Sequence, residues 1–188
     1  KSKLSLCGYK NILAPTKNEL NCLNFQSFLE YCISHKINNM IFAAGKVGGI
    51  LDNKNNQINY LLENTTLASN AIKVSLECNL NRVVLFGSSC MYPLNANQPF
   101  NEDDILTGKL EKTSLGYALS KILLTEGACL ANKTINKDTF FIPVIPNSCY
   151  GPNDNFDPKT SHVLSALITK ILSAKSNKDK FTKTYSNI

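Results

Sequence analysis

Tyr117 and Lys121 stand four residues apart in a stretch, Leu115–Asn132, whose apolar spacing predicts a helix. A spacing of i, i+4 puts a phenol and an ammonium on one helical face, one turn apart. A phenol with its ordinary pKa near 10 is a poor base at neutral pH, but a neighbouring cation favours its ionised form. Such a pair can pass a proton to or from a substrate hydroxyl while a hydride moves elsewhere. By itself the pair reads equally well as an exposed lysine beside a half-buried tyrosine. Ser88 adds weight. It stands one glycine beyond Arg82–Phe86, whose apolar run Val83–Phe86 predicts a buried strand, and a hydroxyl there can share a substrate oxygen with Tyr117. Singly, Ser88 also reads as a strand-end or helix-capping serine.

The elements that must position these residues alternate in kind. Strand-like runs at residues 11–14, 39–44, 82–86 and 139–145 are separated by helical patterns at Phe25–His35, Gln57–Cys78, Leu115–Asn132 and His162–Ala174. Strict alternation predicts an α/β fold, a doubly wound parallel sheet with right-handed crossovers and helices on both faces. Ligands of such sheets bind beyond the carboxyl ends of the strands. The segments after Ala44, Phe86 and Ile145 therefore become the candidate site. Gly45, Gly48 and Gly49 follow the first, Gly87-Ser88-Ser89 the second and Pro146-Asn147-Ser148-Cys149 the third.

Composition narrows the remaining classes. With 188 residues, 43% hydrophobic and 18% charged, the chain has the core-forming capacity of one domain or slightly more, which excludes fibrous and disordered classes. No apolar run approaches the ~18 residues of a membrane span, and no signal-peptide pattern opens the chain, so no membrane partner is expected. The net charge of +6 comes from 20 Lys+Arg against 14 Asp+Glu, and Arg82 is the single arginine. The lysines are scattered apart from Lys175, Lys178, Lys180 and Lys183, a distribution that argues against a nucleic-acid partner. Seven cysteines form no CxxC pair, and His35 and His162 lie far apart in sequence, so neither a metal site nor a disulfide framework is expected. That usage suits a reducing, cytoplasmic setting, with most cysteines acting as small buried hydrophobes.

Longer strings are more specific than any single residue. Ala43-Ala-Gly-Lys-Val-Gly-Gly-Ile50, Leu85-Phe-Gly-Ser-Ser-Cys-Met-Tyr-Pro93, Tyr150-Gly-Pro-Asn-Asp-Asn-Phe156 and Ser161-His-Val163 resemble the GDP-L-fucose synthase branch of the extended short-chain dehydrogenases/reductases. The resemblance runs from about Asn11 to about Ala174. It implies a Rossmann-like sheet, NADP as cofactor, a GDP-sugar substrate and a homodimeric full-length enzyme. The implied reaction is 3,5-epimerisation and 4-reduction of GDP-4-keto-6-deoxy-D-mannose. Ser88, Tyr117 and Lys121 then form the reductive set, while Cys90 and His162 supply the acid and base of epimerisation, since the keto group acidifies its flanking carbons. Taken singly, Cys90 reads as a small buried residue and His162 as a histidine at a helix start.

The same resemblance implies cofactor contacts from Lys17, Asn18, Ala43, Ala44, Phe86, Gly87, Ser88, Ser89, Tyr117, Lys121, Pro146, Asn147, Ser148, Cys149 and His162. Substrate contacts are implied for Lys46, Val47, Cys90, Asn155, Phe156 and Lys170. Lys17 falls where a basic residue meets the cofactor's 2′-phosphate, although a solvated lysine reads as well. Pro146–Cys149 departs from the family's Pro-Thr-Asn-Leu.

The chain contains no Gly-x-x-Gly-x-x-Gly, the loop whose backbone N–H groups and following helix hold pyrophosphate. The resemblance implies that this loop and the first strand belong ahead of Lys1, and that more of the substrate domain belongs beyond the end. Residues 1–150 are then a partial NADP-binding domain and residues 151–188 the beginning of a smaller substrate-binding domain. Two function classes follow. One is an NADP-dependent nucleotide-sugar epimerase/reductase, for fucose or a related GDP-deoxysugar such as a heptose. The other is a non-catalytic remnant or a subunit completed by another chain.

Overall fold

The computed structural model describes residues 2–147, 149–157 and 161–177. Its centre is a three-stranded parallel sheet of β1 (Asn39–Phe42), β2 (Arg82–Phe86) and β3 (Phe140–Val144), in the order β1-β2-β3. Phe42 pairs with Leu85, and Leu85 with Pro143, so the three strands end level with one another. Helices α1 (Ser2–Leu6), α2 (Phe25–Ser34), α3 (Ile50–Asn55), α4 (Gln57–Glu77), α5 (Leu115–Thr134) and α6 (Val163–Asn177) complete the described elements, with 3-10 turns at Ser89–Met91, Glu102–Asp104 and Lys112–Ser114. The parallel α/β architecture expected from the alternation is present.

Local sequence explains where the principal elements begin. Asn24 caps α2, its side chain accepting the Ser27 N–H at 2.9 Å. Along α4 the buried positions are Tyr60, Asn64, Leu67, Ala68, Ala71, Val74 and Ser75, a single stripe at helical spacing. Gly116 and Gly127 of α5 face Gln57 and Ile72 of α4, so the two helices approach closely. A Cβ on Gly116 would lie 2.2 Å from the Gln57 carbonyl oxygen, which makes glycine obligatory at that crossing.

The core lies on one face of the sheet. Phe42, Val83, Leu85 and Phe141 are buried in one cluster with residues of α2, α4 and α5, and Phe28 stacks on Phe42 with ring centroids 6.0 Å apart. The opposite row, Ile41–Val84–Ile142, is partly buried at best, and Ile41 is 53% exposed. The expected helical cover is therefore much heavier on one face than on the other.

Two expectations need correction. Residues 11–14 form no strand and Leu13 is half exposed. A strand exists only where a neighbour takes up its N–H and C=O groups, and this segment pairs with none of β1, β2 or β3. The run 39–44 is strand only to Phe42, leaving Ala43 and Ala44 exposed in the loop beyond the ladder.

A one-sided core makes a mutational contrast. Leu85→Ala should lower stability by about 2–5 kcal/mol, as for other buried leucines, whereas Ile41→Ala should cost about 1 kcal/mol or less because half its surface is already wet. Urea unfolding midpoints of the two variants check this, and equal losses would place the core on both faces.

Candidate active site

The site grows from the end of β2. Gly87 turns the chain there in a space already filled on all sides: a Cβ would meet Met91 Cε at 3.0 Å, Thr125 Oγ1 at 3.1 Å and Ile145 Cγ1 at 3.3 Å. Its N–H donates to the Val144 carbonyl at 2.8 Å, tying the turn to β3. Ser88 follows in extended conformation and caps the Ser89–Met91 turn, its Oγ accepting the Cys90 N–H at 3.3 Å. Met91 is fully buried, and the Thr125 hydroxyl reaches its sulfur at 3.4 Å, so the turn is anchored on α5. Ser88 and Cys90 are thereby held at the carboxyl end of the central strand, facing the helix that carries Tyr117.

Tyr117 and Lys121 complete the group. Ser88 and Cys90 both lie close enough to Tyr117 to bear on its ionisation. Lys121 is 8% exposed and donates from Nζ to the Phe86 carbonyl at 2.8 Å, with Nζ 5.6 Å from the Tyr117 ring centroid. Burial raises the Tyr117 pKa above its ordinary value, Cys90 adds to the rise, and Ser88 opposes it. Burial likewise lowers the Lys121 pKa. The sequence-based expectation that the lysine would favour the phenolate is thus outweighed. Desolvation acts on both groups, and the ammonium directs a proton at a backbone carbonyl.

The loop after β1 is fixed by α4. The Lys46 N–H donates to Asn64 Oδ1 at 2.8 Å, and Asn64 Nδ2 donates to the Lys46 carbonyl at 3.0 Å. Lys46 Nζ pairs with Glu63 at 3.3 Å. Tyr60 is wholly buried, donates its hydroxyl to Asp52 at 2.5 Å, and meets the Tyr117 ring edge-on with centroids 6.3 Å apart. A Cβ on Gly48 would collide with that Tyr60 hydroxyl at 2.2 Å. Asn64, Tyr60 and Asp52 were not among the expected site residues. Their sequence signal is an asparagine on an otherwise core-facing stripe of α4, a polar group that burial obliges to find partners.

Other expected residues are more dispersed. Lys17 and Asn18 are exposed in a turn, with Glu19 N–H bonded to the Thr16 carbonyl at 3.0 Å. Ala43, Ala44, Val47, Ser89, Asn147 and Cys149 are exposed, Phe86 and Pro146 partly buried, and Ser148 lies outside the described residues. Asn155 and Phe156 are exposed, and Lys170 is half-buried on α6. His162 is exposed just before α6, beside Asp154. Asp154 accepts the Ser165 hydroxyl and the Asn155 N–H, and these bonds, with His162 nearby, hold its carboxyl below the usual range. The structure thus brings Ser88, Cys90, Tyr117 and Lys121 together, while His162 has its charged neighbour on the loop that opens α6. Among the described residues, no group of His, Cys, Asp and Glu is arranged to hold a metal ion, and no helix is long and apolar enough to cross a membrane.

The burial of Tyr117 has a pH consequence. Because folding raises its pKa, its neutral form contributes stability that is whole below pH ~10 and is lost as the pH rises further. Tyr117→Phe removes that loss, so its urea midpoint should fall less steeply than the parent's between pH 9 and about 11. Parallel curves would show a phenol that ionises as freely folded as unfolded.

Similarity to known proteins follows the same elements. A family model described as the NAD dependent epimerase/dehydratase family matches residues 7–185. A GDP-L-colitose synthase from Yersinia pseudotuberculosis is 38% identical over 88% of this chain and 57% of its own length. A GDP-L-fucose synthase from Escherichia coli is 34% identical over 87% of this chain and 50% of its own. The solved structure of a GDP-mannoheptose C4 reductase from Campylobacter jejuni with NADP bound superposes with TM-score 0.84 at 28% identity, covering 93% of this chain and 52% of that one. The chain therefore spans about half the length of the curated relatives it matches. With a match over nearly its whole length and a parallel sheet carrying Ser88, Tyr117 and Lys121 at one strand end, the chain belongs to the NAD dependent epimerase/dehydratase family.

Proposed function

We propose that this chain is the catalytic middle of an NADPH-dependent nucleotide-sugar 3,5-epimerase/4-reductase that converts GDP-4-keto-6-deoxy-D-mannose to GDP-L-fucose. The observation that carries the reading is Lys121, buried on α5 one turn from Tyr117 and bonded to the Phe86 carbonyl at the strand end from which Ser88 and Cys90 emerge. Residues 1–150 belong to the cofactor domain and residues 151–188 begin the substrate domain. Exposed apolar residues on α4 (Ile58, Leu62) and α5 (Leu119, Leu123) suit a homodimer of the whole protein.

The residues present fit the nicotinamide and ribose end of NADP. Lys121 uses one of its three N–H bonds on the Phe86 carbonyl, leaving two for ribose hydroxyls. Ala43 and Ala44 offer a small, exposed floor beyond β1, and Lys17 with Asn18 suits the 2′-phosphate. When bound, the reduced nicotinamide supplies a hydride to the sugar carbonyl carbon. Tyr117 then gives its proton to the carbonyl oxygen, which Ser88 orients by a second hydrogen bond. Burial keeps that proton on the phenol until the oxygen gains charge, and the nearby ammonium of Lys121 steadies the phenolate left behind. For epimerisation, Cys90 removes a proton from a carbon flanking the carbonyl and His162 returns one from the opposite face. Lys46 and Val47 border the sugar, and Asn155, Phe156 and Lys170 the GDP.

The similarity to a GDP-mannoheptose C4 reductase and to a GDP-L-colitose synthase supports a second reading, the same site acting on another GDP-keto-sugar. Solvent deuterium exchange separates the two. In a chain that also carries the dinucleotide loop, NADPH oxidation should be accompanied by deuterium uptake at both carbons flanking the ketone. A reductase without epimerase activity gives oxidation without uptake, and a non-catalytic chain gives neither. Tyr117→Phe should lower reduction by at least ~100-fold and spare the exchange, and Cys90→Ser should do the reverse.

The 188 residues supply no glycine loop for the pyrophosphate. Losing several charge-assisted hydrogen bonds of roughly 1.5–3 kcal/mol each weakens binding by orders of magnitude. NADPH fluorescence should therefore show no saturation in the micromolar range with this chain, and adding the loop and its strand should restore it. Micromolar affinity without them would place the phosphates elsewhere.

A further inference from the structure

The first turn of α5, which carries Tyr117, is held by a residue of another helix. The first N–H groups of a helix have no partner within it and are commonly met by the side chain at its N-cap. Ser114 occupies that place and makes no such bond. Gly116, the buried residue next to Tyr117, donates its N–H instead to Gln57 Oε1 at 3.3 Å. The same side-chain amide donates from Nε2 to the Lys112 carbonyl at 2.9 Å. Gln57 opens α4, so both ends of its amide span the Lys112–Ser114 turn and the start of α5. That turn is stiffened from within, because the Glu111 carboxylate accepts the Thr113 N–H at 2.9 Å and the Ser114 N–H at 3.1 Å. Tyr60 lies one turn further along α4 and meets the Tyr117 ring edge-on. The start of α4 therefore holds Tyr117 twice, by the backbone beside it and by its ring.

We propose that Gln57 is a positioning residue for Tyr117, capping α5 from the neighbouring helix so that the phenol keeps its place beside the strand end that carries Ser88. Without the amide, the buried Gly116 N–H loses its side-chain acceptor and the first turn of α5 gains freedom to fray. Tyr117 lies within that turn. Lys121 lies one turn beyond it and is held separately by the Phe86 carbonyl, and Cys90 is anchored in the Ser89–Met91 turn. The effect of Gln57 therefore falls on the phenol and spares the rest of the group. Proton donation needs the phenol oxygen within one hydrogen bond of the sugar oxygen. Loss of the clamp thus acts on reduction and leaves epimerisation alone. That consequence rests on the reaction proposed above, whereas the hold on Tyr117 does not.

The test begins with fluorotyrosine placed at position 117 of this chain, whose fluorine NMR resonance is followed. Gln57→Ala should shift and broaden that resonance. Gln57→Glu, which keeps an acceptor for Gly116, should leave it near the parent's. Asn70 makes a like clamp about 20 Å further along α4, donating to the Cys22 carbonyl at 2.9 Å and the Leu23 carbonyl at 3.0 Å. Asn70→Leu therefore reports a general loss of stability and should leave the resonance unchanged. Should Gln57→Ala not fold, Gln57→Met, which keeps the bulk of the side chain, replaces it. In a chain that also carries the dinucleotide loop, Gln57→Ala should lower kcat for reduction about 10-fold, with the KM for NADPH and the deuterium exchange unchanged. Gln57→Glu should recover most of that rate. An unchanged resonance with Gln57→Ala, a matching change with Asn70→Leu, or a moved resonance with unchanged kcat would overturn the proposal. If the parent reduces no keto-sugar, the reaction proposed above falls, and the resonance alone decides whether Gln57 holds Tyr117.

Discussion

The absence of a side chain at Gly87 is the constraint on which the rest of the site depends. Met91, Thr125 and Ile145 stand 3.0–3.3 Å from where a Cβ would lie, so β2, β3 and α5 meet tightly around that residue and a larger one would press on all three. This packing turns the chain sharply at the end of the central strand, where Ser88 and Cys90 emerge in fixed directions. It also brings α5 near enough for Lys121 to reach the Phe86 carbonyl.

Electrostatics at this junction are governed by loss of water more than by charge pairing. Tyr117 and Lys121 share a helical face, yet burial drives both toward their neutral forms. A neutral phenol beside a desolvated lysine is arranged to release a proton when negative charge appears on a neighbouring oxygen. Tyr60 is buried as well, donates to the exposed Asp52, and braces the Tyr117 ring from the side. Helix α4 is thus a second support for the site. It clamps the Lys46 peptide through Asn64 near one end, and at the other Cys78 packs against the hydrophobic cluster.

The sheet that carries these elements is lopsided. Phe42, Val83, Leu85 and Phe141 bury one face under α2, α4 and α5, while Ile41 and its neighbours across the ladder keep contact with water. The outer edge of β1 has no partner strand among the described residues. An open parallel edge of this kind carries unpaired N–H and C=O groups, and residues 11–14, which have the composition of a strand, remain irregular for want of a neighbour.

Local chemistry in the sequence was sufficient for much of this. Apolar runs bounded by glycine determined β2 nearly to the residue and β1 to within two, because the run supplies a core face and glycine ends it where the chain turns. Helical spacing determined α4 and α5, and with them the shared face of Tyr117 and Lys121. The strings around Ser88 and Cys90 pointed to the family and so to the reductive group. Tertiary structure alone decided the rest. Whether 11–14 became a strand depended on a partner that no local pattern encodes. Whether Lys121 lowered the Tyr117 pKa depended on how much water each had lost, a property of packing. Asn64, Tyr60 and Asp52 entered the site because α4 passes beneath the loop after β1. Sequence fixes which groups can share a strand or a helix face, but separate elements meet only through the core, so distances and desolvation between them are settled there.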